Sequence, residues 1–180
     1  MSNIDALIKE VMRKSESDIW DLAVDEWYIE NVTEDRSLSG ECVCGKENLR
    51  YLFTIRNSKN NNVLFPIGSS CIEKFDRDDL NDEARVNKKL FELLHAIQDG
   101  DYITLDADYF SRKLLKFLFE DEAFAPTEYN DYDGYNDYEF MLKMFNQRNQ
   151  PSEKQQGKIN AIIMFSIRPY LQNKLKGKIA

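Results

Sequence analysis

The stretch Leu49-Arg-Tyr-Leu-Phe-Thr-Ile55, the polar insert Asn57-Ser-Lys-Asn-Asn-Asn62 and the run Val63-Leu-Phe-Pro-Ile67 together decide the fold. Two runs rich in β-branched and aromatic residues, separated by a polar hexapeptide, predict an antiparallel hairpin with a hydrophilic tip. Pro66 has no N–H to give to a ladder, so the second run sits at a sheet edge or its pairing stops there. Segment 27–33 supplies a third strand of a small antiparallel sheet. The mixed pattern around Trp20, Leu22, Trp27, Tyr28 and Ile29 reads as a short helix running into that strand.

Before the sheet, Ser2 is placed to cap a helix in which Ile4, Leu7, Ile8, Val11 and Met12 recur at helical spacing, with Asp5 near its positive end. After it the chain turns helical from Asn81 onward. Val86, Leu90, Leu93, Leu94 and Ile97 form one stripe ending at Gly100, and Tyr109, Leu114, Leu115, Leu118 and Phe119 belong to a second helix starting near Asp106, antiparallel to the first. Phe140, Leu142, Met144 and Phe145 mark a third helix. Ser152 with Gln155 makes a capping box for a fourth, whose Ile159, Ile162, Ile163, Ile167, Tyr170 and Leu171 face a core. Pro169 must kink or end that helix, because it removes a backbone donor. The expected fold class is α+β, with residues 1–80 carrying the N-terminal helix, the sheet and the cysteines, and 81–180 a helical region. The pattern leaves open whether these make one core or two, and no domain-scale repeat is present.

The 180 residues are 42% apolar and 12% aromatic, enough to build a core rather than a disordered chain. No apolar run reaches the ~18 residues of a membrane span, and the N-terminal segment is amphipathic without a signal-peptide core, so a cytoplasmic protein is expected. The net charge is −8. It divides into +5 over residues 151–180 and −13 over the rest. A field of that sign repels nucleic acid and favours basic protein surfaces, whereas the C-terminal segment alone can touch phosphate through Lys154, Lys158, Lys174, Lys176 and Lys178. The bland alternative is a solvated helix end carrying cations near its negative pole.

Three cysteines stand at Cys42-Val-Cys44-Gly45 and, after the hairpin, at Cys71. If the two segments converge at one end of the sheet, three soft ligands meet and zinc is the expected ion. Against this, structural zinc pairs usually enclose two to four residues, no fourth ligand is evident, and His95, the lone histidine, sits on an apolar-striped helix. Small buried thiols beside a tight Gly45 turn are therefore the commoner reading. Gly68-Ser-Ser70 opens a short helix after the strand, where Ser69 or Ser70 reads as an ordinary N-cap and an anion contact is the alternative.

Between the second and third helices lies a low-complexity segment of carboxylates and tyrosines: Asp121, Glu122, Glu128, Tyr129, Asp131, Tyr132, Asp133, Tyr135, Asp137 and Glu139. It reads either as a solvated loop or as a partner-binding surface imitating nucleic-acid phosphates, with tyrosines supplying contact area. Catalysis finds no anchor. No Gly-x-Ser-x-Gly, His-Glu-x-x-His or Walker sequence occurs, a single histidine excludes a two-histidine site, and nothing points to a small-molecule substrate. Metal-dependent carboxylate chemistry needs only Asp and Glu, and the sequence does not localise it.

The segment from Glu41 to Asn57, continued by Leu64-Phe-Pro-Ile-Gly-Ser-Ser-Cys-Ile-Glu-Lys-Phe75, resembles small proteins carried by phages and mobile elements of low-GC Gram-positive bacteria. So does the ending Phe140–Asn149 with Lys154-Gln-Gln-Gly-Lys-Ile-Asn160. Some members are similar to type II anti-CRISPR proteins, which bind the effector nuclease or interfere with its guide RNA. The resemblance implies an inhibitor whose partner is a type II CRISPR effector, its guide RNA, or both. The Asp/Glu/Tyr segment, the hairpin tip and the basic tail would then supply the contacts. A rival expectation is a nucleic-acid-binding accessory protein of mobile-element replication with a cysteine zinc knuckle. An enzyme acting on guide RNA is a third.

Overall fold

A computed structural model describes residues 2–180. The protein is α+β, and its chain forms two compact units, one running to Asn87 and including Gly177–Ala180, the other Lys88–Lys176. The division falls inside a helix rather than at the 80/81 boundary read from the pattern.

In the first unit, helix α1 spans Asn3–Lys14 and is opened by a capping box. Ser2 Oγ accepts the Asp5 N–H, and the Asp5 carboxylate accepts the Ser2 N–H. Its apolar stripe buries Leu7 and Val11 completely. A single turn, α2 (Trp20–Ala23), and a 3-10 turn lead into β1 (Trp27–Glu34). Strands β2 (Tyr51–Asn57) and β3 (Val63–Ile67) are the predicted hairpin, and the sheet order is β1-β2-β3, all antiparallel. Trp27 pairs with Asn57 and Glu34 with Tyr51, with a bulge between Ile29 and Asn31. Pro66 lies on β3, an edge strand, as its missing donor requires. Phe53, Ile55, Leu64 and Ile67 are buried.

The hairpin tip is not free. Asn60 and Asn62 both donate through Nδ2 to the Lys14 carbonyl at 3.0 Å, while Lys14 Nζ donates to the Val63 carbonyl at 2.7 Å. The polar hexapeptide thus closes the C-terminal end of α1. The C-terminal segment covers the other edge: Glu34 N–H donates to the Lys178 carbonyl and Ala180 N–H to that of Glu34.

After β3 come α3 (Ser69–Ile72) and α4 (Asp78–Gln98). In the second unit α5 spans Arg112–Glu120, six residues later than the apolar pattern suggested. Asp106 explains the offset. Its carboxylate and carbonyl accept backbone N–H groups of Asp108, Tyr109 and Phe110 in a turn, and Ser111 caps the helix instead. Helix α6 (Gly134–Asn146) begins ahead of its apolar residues, and α7 (Glu153–Ile162) starts at the expected Ser152–Gln155 capping box. Ahead of Pro169 the helix widens into a π turn, Ile163–Ile167, before continuing as α8 (Arg168–Lys174). The proline cannot donate to the carbonyl four residues back, and Arg168 N–H instead reaches the Ile163 carbonyl five residues back. The Ile159, Ile162, Ile163, Ile167 and Leu171 face is buried. Among the described residues no helix is long and apolar enough to cross a membrane.

Candidate metal centre

The turn at Cys42–Lys46 is closed by two backbone bonds, Cys42 N–H to the Lys46 carbonyl at 2.8 Å and Gly45 N–H to the Cys42 carbonyl at 2.7 Å. Gly45 sits at φ +87°, a left-handed conformation that a side chain would strain. Val43 N–H donates to the Pro66 carbonyl at 2.9 Å, so the turn is fastened to the edge strand by an acceptor on the one residue there that cannot donate. On the far side of the hairpin, Gly68 caps α3 with no side-chain cap bond, which corrects the reading of Ser69 or Ser70 as N-cap. Both serines lie inside the helical turn that carries Cys71.

The outcome is convergence. Cys42 Sγ and Cys71 Sγ are 3.6 Å apart, Cys71 and Cys44 3.2 Å, and all three sulfurs lie within 4.8 Å of one another. All three residues are buried free thiols. A tetrahedral zinc site with Zn–S of ~2.3 Å spaces its sulfurs about 3.8 Å apart, close to this triangle, whereas a disulfide needs about 2.05 Å. The three buried thiols beside the Gly45 turn thus form a cluster.

Cys42 and Cys71 hold a shared proton unequally. Hydrogen bonding with Cys71 pulls the Cys42 thiol down to about 5 against the opposing effect of burial, helped by the backbone N–H groups of Cys44 and Gly68, the latter 3.3 Å from the sulfur. Cys71 is pushed up, because it shares its proton with Cys42 and is buried beside both other sulfurs. Backbone N–H donors aimed at a sulfur favour the thiolate, the form that ligates metal. At the rim, Lys46 Nζ donates to Ser70 Oγ at 3.2 Å, joining the turn to α3. Among the described residues no fourth His, Cys, Asp or Glu atom joins the group. A zinc ion here would have three thiolate ligands and one further position.

No family model matches this chain, and no curated protein or solved structure matches it either. What the sites do must be read from their own geometry.

The other residues singled out in the sequence are scattered. Asp121 accepts from Tyr170 Oη at 2.6 Å and pairs with Lys174 Nζ at 2.8 Å, so both ends of that pair are engaged in the second unit. Asp133 caps α6 through the Tyr135 N–H. Asp137 is buried on α6 and accepts from the Asn130 amide at 2.8 Å. These three carboxylates serve the fold, within a turn-rich segment that runs into α6. Glu122, Glu128, Asp131 and Glu139 are exposed, as are Tyr129, Tyr132 and Tyr135. Of the basic residues, Lys154 and Lys176 are exposed and Lys158 lies over the Phe140 ring. Lys178 belongs to the first unit.

Sequence reasoning missed the Gly68 N–H and the Pro66 carbonyl. Pro66 carried a signal, since a proline on an edge strand still offers its acceptor.

Proposed function

We propose that the chain is a cytoplasmic zinc-binding accessory protein of a phage or other mobile element and that it acts by binding nucleic acid. The observation supporting this reading is the meeting of three buried sulfurs at a tight turn and a helix start on either side of one hairpin. Zinc knuckles are a recurring nucleic-acid-binding device. The ion would hold the turn and α3 in register, leaving Lys46 as a local cation to meet a strand against the chain's net charge of −8.

Metal analysis of the purified, reduced protein should give close to one zinc per chain, and Cys71→Ser should abolish it. Fluorescence anisotropy with single-stranded DNA and RNA should show affinity falling as salt rises. A chain that neither carries nor takes up zinc removes the metal, and no binding at low salt removes the nucleic acid.

A second reading is favoured by a different observation, the exposure of Tyr129, Tyr132 and Tyr135 beside Glu128, Asp131 and Asp133. Together with the resemblance to anti-CRISPR proteins, it supports an inhibitor whose acidic, tyrosine-bearing face meets the basic channel of a type II effector. Its test is effector cleavage with the protein added before and after guide loading, and the guide run on a denaturing gel. Blocked cleavage with intact guide supports the inhibitor, and shortened guide a nuclease. Normal cleavage by several effectors removes this reading.

A further inference from the structure

Within the second unit, helix α7, the π turn and the 3-10 turn at Glu128–Asn130 enclose a groove of about 470 Å³ lined by Thr127, Tyr129, Asp137, Lys158, Ile162 and Phe165, with Ser166 in its wall. Two large aromatic side chains stand beside it almost fully in solvent: Tyr129 is 83% exposed and Phe165 80%. Phe165 lies on the π turn, between Ile163 and Ile167, which are both buried. Such π turns occur frequently at functional sites.

The polar groups in the groove are few and differ in kind. Asp137 is only 5% exposed, and one of its oxygens accepts from Asn130. Asp137 lines the groove, so its carboxylate offers acceptors there. Ser166, 7% exposed, brings a hydroxyl to the groove wall. Lys158 brings an ammonium held over the Phe140 ring at 4.4 Å. An apolar groove with a few convergent polar groups is the usual form of a ligand site.

We propose that this groove is a nucleobase site and that guanine is the base it fits best. Exposed aromatic rings stack on any base. The Asp137 carboxylate takes the paired N1–H and N2–H donors of guanine, one at each oxygen, while the Ser166 hydroxyl and the Lys158 ammonium meet its O6 and N7 acceptors. Uracil has one ring donor, and adenine lacks a donor at N1. An arginine side chain from a protein partner also stacks and donates to carboxylates. It has no acceptor, however, and its charge opposes Lys158, so the mixed donor and acceptor set favours the base. The inference deepens the nucleic-acid reading and rests on it, but uses none of the cysteines.

Calorimetric titration of the intact protein with guanosine, adenosine, cytidine and uridine 5′-monophosphates, and with a uridine-rich RNA 8-mer carrying one central guanosine, tests it. The guanosine ligands should bind about tenfold tighter than the others, and Phe165→Ala should weaken them by about tenfold or more through lost stacking. Because Phe165 is so exposed, that variant should keep the wild-type circular dichroism and melting temperature. Lys158→Gln, which removes a donor to the guanine acceptors, should weaken the guanosine ligands more than the uridine ones. Binding of the mononucleotide itself identifies a free nucleotide as ligand, and binding of the 8-mer alone identifies a strand. If the 8-mer binds equally well to wild type and Phe165→Ala, the groove is overturned while the nucleic-acid reading stands. If no RNA or nucleotide binds, both fall. Tighter binding of an arginine-bearing peptide, lost in Phe165→Ala, would overturn the base in favour of a protein partner.

Discussion

Glu26 and Asp35 flank β1, and each is worth more to the fold than its exposed neighbours. Glu26 is 1% exposed, and its carboxylate accepts from the Glu16 and Ser17 N–H groups at 2.8 Å and from Asn57 Nδ2 at 2.6 Å. Burial pushes its carboxyl up, yet those donors together outweigh burial and the net shift is downward from 4.5. Asp35 is held at about 2, below the usual 3.8, by the Ser37 and Ser39 hydroxyls. Both folded values lie below the unfolded ones. The stabilisation is therefore complete above the unfolded values and is lost as pH falls through the folded values. The urea midpoint should drop as pH is lowered from about 5 to about 2, and the Glu26→Gln, Asp35→Asn double variant should flatten that drop while being less stable at neutral pH. An unflattened slope would show that other carboxylates set the acid limit. Nothing local in the sequence separates Glu26 from the other members of a set of 32 acids, since its donors stand 9 to 31 positions away. The same holds for Asp137, which reads as one more charge in an acidic run. Only the fold reveals that Asn130, itself 2% exposed, donates to both Asp137 and the Ala125 carbonyl.

Helices and strands were legible wherever their own residues carry the signal. The hairpin, the edge position of Pro66 and the capping boxes at Ser2 and Ser152 follow from patterns of two to seven residues. The start of α6 did not, because its first turn is made of Gly134, Tyr135, Asn136 and Asp137, poor in apolar spacing and fixed by the Asp133 cap. Two helical glycines separate position from propensity. Gly157 lies inside α7 with nothing within 4 Å of an added Cβ, whereas a Cβ on Gly134 would run into the Phe124 carbonyl. Gly157→Ala should therefore stabilise the protein by about 0.5–1 kcal/mol, through the smaller entropy lost by alanine in a helix. Gly134→Ala should destabilise it by about 1–3 kcal/mol, since the backbone of that turn must shift. Urea melts of both variants check this, and equal effects would mean that the close approach at Phe124 is relaxed in solution. The π turn was half visible. Pro169 announces a break, but whether the break becomes a kink or a widened turn depends on the neighbours that keep Ile163 and Ile167 buried.

At the scale of the chain, the sulfurs bracket the sheet's hairpin: Cys44 and Cys71 stand 27 positions apart with β2 and β3 between them. Joining the ends of a loop of that length costs roughly 3 kcal/mol of chain entropy, and a bound ion contributes to stability by holding the ends together only in the folded state. That long-range closure is what the spacing alone could not show. A Cys-x-Cys pair looks poor for zinc until the third sulfur arrives from the helix after the hairpin. Each thiolate must also lose its proton, so metal is expected to release as pH falls. Amide hydrogen exchange tests the consequence directly. When the reduced protein is treated with a strong chelator, exchange should quicken along the cysteine turn, the β2–β3 hairpin and α3, while the core amides of α5, α6 and α7 keep their protection. The contrast within one sample matters, because general loss of stability would quicken both sets. Unchanged exchange at Cys42–Gly45 and Cys71, in protein shown to carry zinc beforehand, would mean that the ion sits elsewhere and that the three thiols are packed for their own sake.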